Sequence, residues 1–285
     1  MEGVKAITLT GHDDAGVLSL QEVPDPQPGA DQLLVEVRAA GVEQADLSRP
    51  AAAVPGRELA GVVVGRGAEV TGFVVGDEVY ACAEGAYAER VTVPERAAAH
   101  KPAGLTFVEA AAIPQDAAAA LQALRAAGTG EGDVVLVHGA AGGAGHFAVQ
   151  IARALGAERV LGTADPADHD FLRELGAEPL DLNGPSGVAY DVAVEFAGAE
   201  ATAAVLREVR DPVRAISTVN PAIAAAGGRY VEPEPDAADL RWLADLADRG
   251  LLRAAVFREL PLAEAEDAHR MLSAGHVRGK VVLTP

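Results

Sequence analysis

The 285-residue sequence predicts an α/β fold in two parts, and two observations carry that expectation. The texture changes near Ile113, from short apolar runs broken by Pro and Gly to helix-like segments alternating with strand-like ones. Such alternation indicates a parallel sheet with helices on its faces. The second observation is the passage Val134-Val-Leu-Val-His-Gly-Ala-Ala-Gly-Gly-Ala-Gly145, continuing into His146-Phe-Ala-Val-Gln-Ile-Ala-Arg-Ala-Leu155. Here an apolar run stops at glycines and helical periodicity starts at once. A chain of this length is expected to hold about two domains.

Residues 1–112 read as strands and turns. Leu33-Leu-Val-Glu-Val37 and Gly61-Val-Val-Val-Gly65 are strand-like, and Pro24, Pro26, Pro28, Gly56, Gly72 and Gly76 punctuate the region. A helix is expected over Asp116–Ala127, then a turn at Gly128–Gly132 leading into the strand that begins at Val134. Arg159–Thr163 reads as the next strand and Ala167–Leu175 as the next helix. Strands follow at Val192–Phe196 and Val213–Thr218, with a helix over Ala199–Val209 between them. Beyond the Pro-rich turn Glu232-Pro-Glu-Pro235 comes an amphipathic helix, Asp236–Arg249. The tail adds a strand at Ala255–Phe257, a helix at Leu262–Ala274 and a last strand, Lys280–Leu283.

Within residues 134–155, Ala140, Gly142 and Gly145 stand in the places of the three glycines of a dinucleotide fingerprint. Small residues there let the backbone approach a pyrophosphate. The first amides of the following helix, on Gly143, Ala144 and Gly145, and the positive end of its dipole would receive the phosphates. An ordinary tight turn is the competing reading. The strand before it, the helix after it and the second strand-like run at Arg159 supply the βαβ context of a Rossmann domain.

Bulk properties narrow the function classes. No apolar run reaches the roughly 18 residues of a membrane span, and the N-terminus lacks a basic-then-apolar signal pattern. A lone cysteine, Cys82, excludes an intramolecular disulfide framework and a multi-cysteine zinc site. A cytoplasmic protein with no membrane partner is expected. The net charge of −19 argues against a nucleic-acid partner, because binding phosphates needs clustered Lys and Arg.

Longer stretches resemble one family over nearly the whole chain. Glu22-Val-Pro-Asp-Pro, Val37-Arg-Ala-Ala-Gly-Val42, Pro55-Gly-Arg-Glu-Leu-Ala-Gly-Val62, Val75-Gly-Asp-Glu-Val79 and Gly85-Ala-Tyr-Ala-Glu89 look like the catalytic domain of medium-chain dehydrogenases/reductases. So do His138-Gly-Ala-Ala-Gly-Gly-Ala-Gly145 and the tail with Pro261, Ala268-His269 and Gly279-Lys-Val-Val-Leu283. Order and spacing are most similar to the zinc-independent quinone oxidoreductase branch. The resemblance implies a GroES-like, β-rich catalytic domain (residues 1–112 plus 252–285) with a Rossmann domain (residues 113–251) inserted in it. It further implies a homodimer, an active site in the cleft, a small-molecule substrate and NAD(H) or NADP(H) as cofactor. Gly198 and Thr218, just beyond later Rossmann strands, join the candidate cofactor contacts.

Zinc-dependent relatives hold metal through a Cys after the Gly-Val pair, a His in a Gly-His-Glu triplet and a later Cys. At those places this chain has Glu43, Arg57 and Asp116. Arginine stays protonated and offers no lone pair, so a three-ligand zinc site is not expected there. His12, His100 and His138 are scattered and do not replace it. Without metal, hydride would pass directly between nicotinamide and an electron-poor C=C or C=O group. Arg57 would polarise the carbonyl, and Glu43 or Asp116 would donate a proton if burial raised its pKa. Alternatively, Glu43 and Arg57 form an ion pair at the vacant metal position.

Three departures bear on substrate class. Glu43 replaces the Asn usual after Gly41-Val42, Leu47–Val54 is shorter than the family's substrate loop, and Ala117-Ala-Ala-Ala120 replaces a segment that often carries a cofactor-contacting Thr. The 2′-phosphate question rests on Thr163-Ala-Asp-Pro-Ala-Asp-His169. Ala164 occupies the acidic place of NAD-preferring relatives, while Asp165 and His169 occupy the Ser and Lys places of NADPH-preferring ones. A carboxylate about 4 Å from a phosphate costs roughly 1 kcal/mol per charge pair in water and about 4 at an effective dielectric of 20. Asp165 would otherwise cap a helix starting at Pro166, and cofactor choice stays open. The expected activity is NAD(P)H-dependent reduction of quinones or α,β-unsaturated carbonyl compounds. The alternative is a redox-silent relative that binds dinucleotide and acts as an isomerase, cyclase or regulator.

Overall fold

The computed structural model describes residues 3–10, 17–48, 54–181, 187–198 and 202–285. In chain order the strands are β1 (Gly3–Thr10), β2 (Val17–Pro24), β3 (Gln32–Val42), β4 (Glu58–Arg66), β5 (Glu78–Cys82), β6 (Arg90–Pro94) and β7 (Ala98–His100). Two helices follow, α1 (Phe107–Ala111) and α2 (Pro114–Ala126). Then come β8 (Val134–His138), α3 (Gly143–Ala154), β9 (Arg159–Ala164), α4 (His169–Leu175), β10 (Glu178–Asp181) and β11 (Val192–Glu195). The remainder is α5 (Thr202–Leu206), β12 (Ala215–Ser217), β13 (Arg229–Tyr230), α6 (Ala237–Asp248), β14 (Val256–Pro261), α7 (Ala265–Ala274) and β15 (Lys280–Thr284). The chain divides into two compact units. One comprises Met1–Gln115, Pro235–Asp248 and Ala254–Pro285, the other Asp116–Glu234 with Arg249–Arg253.

In the first unit β1 and β2 form an antiparallel ribbon, and a seven-stranded sheet runs β14-β15-β3-β4-β5-β7 with β6 also on β3. β3 buries Leu33, Val35 and Val37 on one face, the period-two pattern of a half-buried strand. β15 lies antiparallel on β3, with Val281 opposite Val42 and Leu283 opposite Ala40, so the tail returns to the first sheet. The amphipathic helix α6 also belongs here: the Tyr80 hydroxyl donates to the Leu240 carbonyl. The sequence expectation placed residues 236–249 with the nucleotide-binding half, whereas Pro235–Asp248 cluster with the first unit. Helical periodicity shows that a face is buried but not which element buries it.

The second unit is a six-stranded parallel sheet, β10-β9-β8-β11-β12-β13. With β8 as the first strand, this is the doubly wound order 3-2-1-4-5-6, whose direction reverses between β8 and β11. Three segments start two or three residues later than expected, each after a 3-10 turn. Pro212 opens a 3-10 turn, so β12 spans only Ala215–Ser217, and Pro166 likewise opens a 3-10 turn before α4. Residues 262–264 form a 3-10 turn before α7. The predicted helix at Ala199–Val209 is described from Thr202 as α5; its start lies outside the described residues, as do His12 and residues 49–53 of the short segment.

Candidate functional site

The glycine-rich turn joins β8 to α3 beside the point where strand order reverses, which is where open α/β sheets take their ligands. Gly139 carries φ +77°, a left-handed conformation that favours glycine, although the fingerprint spacing did not single it out. Its amide donates to the Thr163 hydroxyl at 3.1 Å, and the Ala140 amide donates to the Thr163 carbonyl at 2.9 Å, which ties the turn to β9. Gly142 is the N-cap of α3, in extended backbone. A Cβ there would meet only the Gly139 oxygen, at 3.4 Å. A Cβ on Gly145 would press on that same oxygen and lie 2.8 Å from the Ala140 Cα. Gly145 therefore serves close packing of helix on turn, and Gly142 keeps open the space in front of it. As the first residues of α3, Gly143, Ala144 and Gly145 have amides with no intrahelical acceptor. An open cradle at a helix N-terminus fits a dinucleotide pyrophosphate.

Around this turn, buried polar side chains cap the carboxyl ends of four parallel strands: His138 on β8, Thr163 on β9, Glu195 on β11 and Ser217 on β12. His138 Nδ1 is 2.9 Å from the Thr163 hydroxyl. Burial holds its imidazole below the ordinary value, with Glu195 opposing. The neutral ring then accepts at Nδ1 from Thr163, a tautomer assigned from the network. Of the other candidate contacts, Gly198 lies in the loop after β11 and donates its amide to Glu195, and Thr218 is buried just after β12. Asp165 sits at the N-cap of the Pro166 turn but makes no side-chain cap bond. The capping role offered by the sequence is therefore not realised by its carboxylate. His169 Nε2 stands 3.7 Å from the Asp181 carboxylate. Asp116 lies in the first turn of α2, in the second unit.

Glu43 and Arg57 belong to the first unit. Glu43, 7% exposed, follows β3, and its amide donates to the Asp46 carboxylate at 3.0 Å. Arg57 lies 3.7 Å from Glu84 in a partly exposed ion pair. Glu43 and Arg57 act on a common neighbour: the Cys82 thiol is pushed up by burial first, then by Glu58 and Glu43, while Arg57 and Lys280 draw it down. Beneath them lies an ion pair, Lys280 Nζ to Glu58 Oε1 at 2.6 Å, with both side chains excluded from solvent. Glu58 Oε2 also accepts from the Gln115 amide at 2.9 Å. Beside Glu43, the Tyr87 hydroxyl donates to Asp46 at 2.9 Å and the His269 ring stands 5.9 Å from that of Tyr87. Among the described residues no group of three or more His, Cys, Asp or Glu is placed to hold a metal ion, and no helix is long and apolar enough to cross a membrane.

Sequence reasoning missed Asp46, Glu58, Tyr87, Cys82 and Lys280 in the first unit and Glu195 and Ser217 in the second. A signal existed for Lys280 and Glu195. Each is a charge at the end of an otherwise apolar strand, and a buried charge demands a partner.

Residues 29–103 match the family described as Alcohol dehydrogenase GroES-like domain, and residues 155–283 match Zinc-binding dehydrogenase. The 2-methylene-furan-3-one reductase of Solanum lycopersicum is 30% identical, across 99% of this chain and 79% of that one. A chloroplastic quinone-oxidoreductase homolog of Spinacia oleracea is 29% identical across 93% of each. The solved quinone oxidoreductase from Coxiella burnetii superposes with a TM-score of 0.89 at 28% identity, covering 100% of both chains.

Proposed function

We propose, since the chain belongs to the quinone-oxidoreductase-like branch of the medium-chain dehydrogenase/reductase superfamily, that it reduces quinones or α,β-unsaturated carbonyl compounds without zinc. It is an oxidoreductase, and its family uses a nicotinamide dinucleotide. The observation that carries the reading is the β8–α3 turn, where Gly142 leaves open the approach to the first amides of α3. A reduced nicotinamide, when bound, would supply the hydride. The amides of Gly143, Ala144 and Gly145 would hold the pyrophosphate.

In the first unit Arg57 supplies a fixed positive charge for the oxyanion or enolate that develops as hydride arrives. Its pair with Glu84 is partly solvated, at 31% and 64% side-chain exposure, so the guanidinium is not locked to that partner. Glu43, buried directly after β3 and beside Asp46, is the first candidate for the proton donor if burial keeps it protonated, and Asp116 is the second. Zinc independence rests on donor chemistry, because arginine at the middle ligand place cannot coordinate. Asp165, directly after β9, puts a carboxylate where a 2′-phosphate would approach and supports NADH over NADPH.

The test is oxidation of NADH and NADPH by the purified protein against a panel of quinones, enones and aldehydes, with metal content measured on the same preparation. Turnover with an enone or quinone at substoichiometric zinc is expected. Activity that requires about one tightly held zinc per chain would overturn the metal-free mechanism. Dinucleotide binding without oxidation by any member of the panel would favour the redox-silent reading.

A further inference from the structure

Beyond the strand ends β11 and β12, two loops face the half of the sheet opposite β9. In a doubly wound sheet the end of the second strand takes the adenosine ribose, which leaves the β11–β13 half for the nicotinamide nucleotide. Glu195 joins those two loops. It closes β11 with a side chain wholly excluded from solvent. Its Oε1 accepts from the Ala197 amide at 2.6 Å and the Gly198 amide at 2.5 Å, folding the first loop around the carboxylate. Its Oε2 accepts from the Ser217 hydroxyl at 2.5 Å. Ser217, also wholly buried, accepts in turn from the amides of Val219 at 3.2 Å and Asn220 at 2.9 Å, in the second loop. A serine hydroxyl has one hydrogen and two lone pairs, so these three bonds saturate it and fix the direction of each.

We infer that Glu195 is a positioning residue which, through Ser217, locks the loops after β11 and β12 into one rigid wall for the nicotinamide end of the cofactor. The carboxylate can do this because it only accepts. A carboxamide at 195 would satisfy the two loop amides through its oxygen but present N–H to Ser217, whose lone pairs are already used. The link between loops would then break while each loop kept its own fold. Gly198 and Thr218, adjacent to these bonds, would be displaced with the loops that carry them. The hydrogen bonds that tie the glycine-rich turn to β9, from the Gly139 and Ala140 amides to Thr163, include neither Glu195 nor Ser217.

The inference rests on the proposed dinucleotide site, and the experiment separates the two. Binding of NADH and of ADP-ribose, which lacks nicotinamide, is measured by calorimetry for the parent, Glu195→Gln, Ser217→Ala and the double variant, with thermal melts alongside. The expected result is NADH binding weakened about tenfold or more in each single variant, with ADP-ribose within about twofold of the parent. The double variant should be no worse than the weaker single one, because both changes cut the same connection. Equal weakening of both ligands, or additive losses in the double variant, would overturn the clamp. If Glu195→Gln fails to fold, the gentler Ser217→Ala decides by the same comparison. A parent that binds neither ligand would overturn the dinucleotide reading and this inference with it.

Discussion

Replacing Gly142 and Gly145, three residues apart in the same turn, should have opposite consequences. At Gly142 the backbone is extended (φ −76°, ψ −174°) and a new Cβ meets only the Gly139 oxygen at an ordinary 3.4 Å. Gly142→Val should therefore fold, losing at most about 1 kcal/mol for a non-capping N-cap residue, a few degrees of melting temperature in a chain of this size. The isopropyl group would stand where phosphate approaches the α3 amides. Charge-assisted hydrogen bonds contribute about 1.5–3 kcal/mol each, so losing two weakens dinucleotide binding by roughly 10²–10⁴-fold. At Gly145 a methyl group would push on the Gly139 carbonyl and lie 2.8 Å from the Ala140 Cα. Backbone would have to move, so Gly145→Ala should cost stability, about 1–3 kcal/mol. Fluorescence titration with NADH and NADPH beside circular-dichroism melts reads both effects. A Gly142→Val protein that melts and binds like the parent would show that phosphates do not sit at this turn. An unshifted melt for Gly145→Ala would refute the packing argument.

Three further outcomes are expected. Arg57→Ala should lower turnover about a hundredfold or more, the scale of a lost preorganised charge, with little change in the melt because its ion pair is long and partly exposed; Arg57→Lys should recover part of the loss, and parental turnover in both would make the residue structural. Asp165→Ser should tighten NADPH about tenfold at low salt and leave NADH nearly unchanged, from the charge-pair magnitudes above; an unchanged ratio of affinities would exclude the carboxylate from the 2′-phosphate site. Burial holds His138 and His269 below the ordinary imidazole value, against opposition from Glu195 and Asp46, so the unfolded chain binds protons better below about pH 6.5 and stability must fall as pH falls through that window. Melts across that range should show the slope, and His138→Asn should remove part of it; a slope identical to the parent's would take His138 out of the linkage.

The Rossmann half was legible because its signals are local. The β8 run, its glycines and the periodicity of α3 are contiguous, and a ligand fingerprint is written in a dozen letters. Elements whose stability comes from neighbours left fainter traces. β2 is mostly exposed along its length and β10 is a four-residue edge strand, Glu-Pro-Leu-Asp, so neither shows an apolar alternation. α1 is only five residues long, although its capping box, Thr106 with Glu109, was readable in principle. The polar groups at the strand ends depend on register: Glu195 lies opposite His138 only because β11 pairs with β8 as it does. The same holds for Glu58, which faces Cys82 across one strand pair and Gly41 across another. Sequence spacing carries no information about such juxtapositions until the sheet is formed.

The Lys280–Glu58 ion pair also sets an order of events during synthesis. Glu58 and the edge of β3 leave the ribosome early, whereas Lys280 and β15 follow roughly 220 residues later, on the order of 10–45 s at about 5–20 residues per second. Throughout that interval the nascent first sheet presents an open strand edge and a carboxylate bound for its interior, a combination that resists premature closure and invites pairing with other chains. The second unit draws its whole parallel sheet from residues 134–230, so it can be completed while the first is still waiting. The first unit therefore stays incomplete until its last strand arrives to supply both the missing hydrogen bonds and the neutralising ammonium.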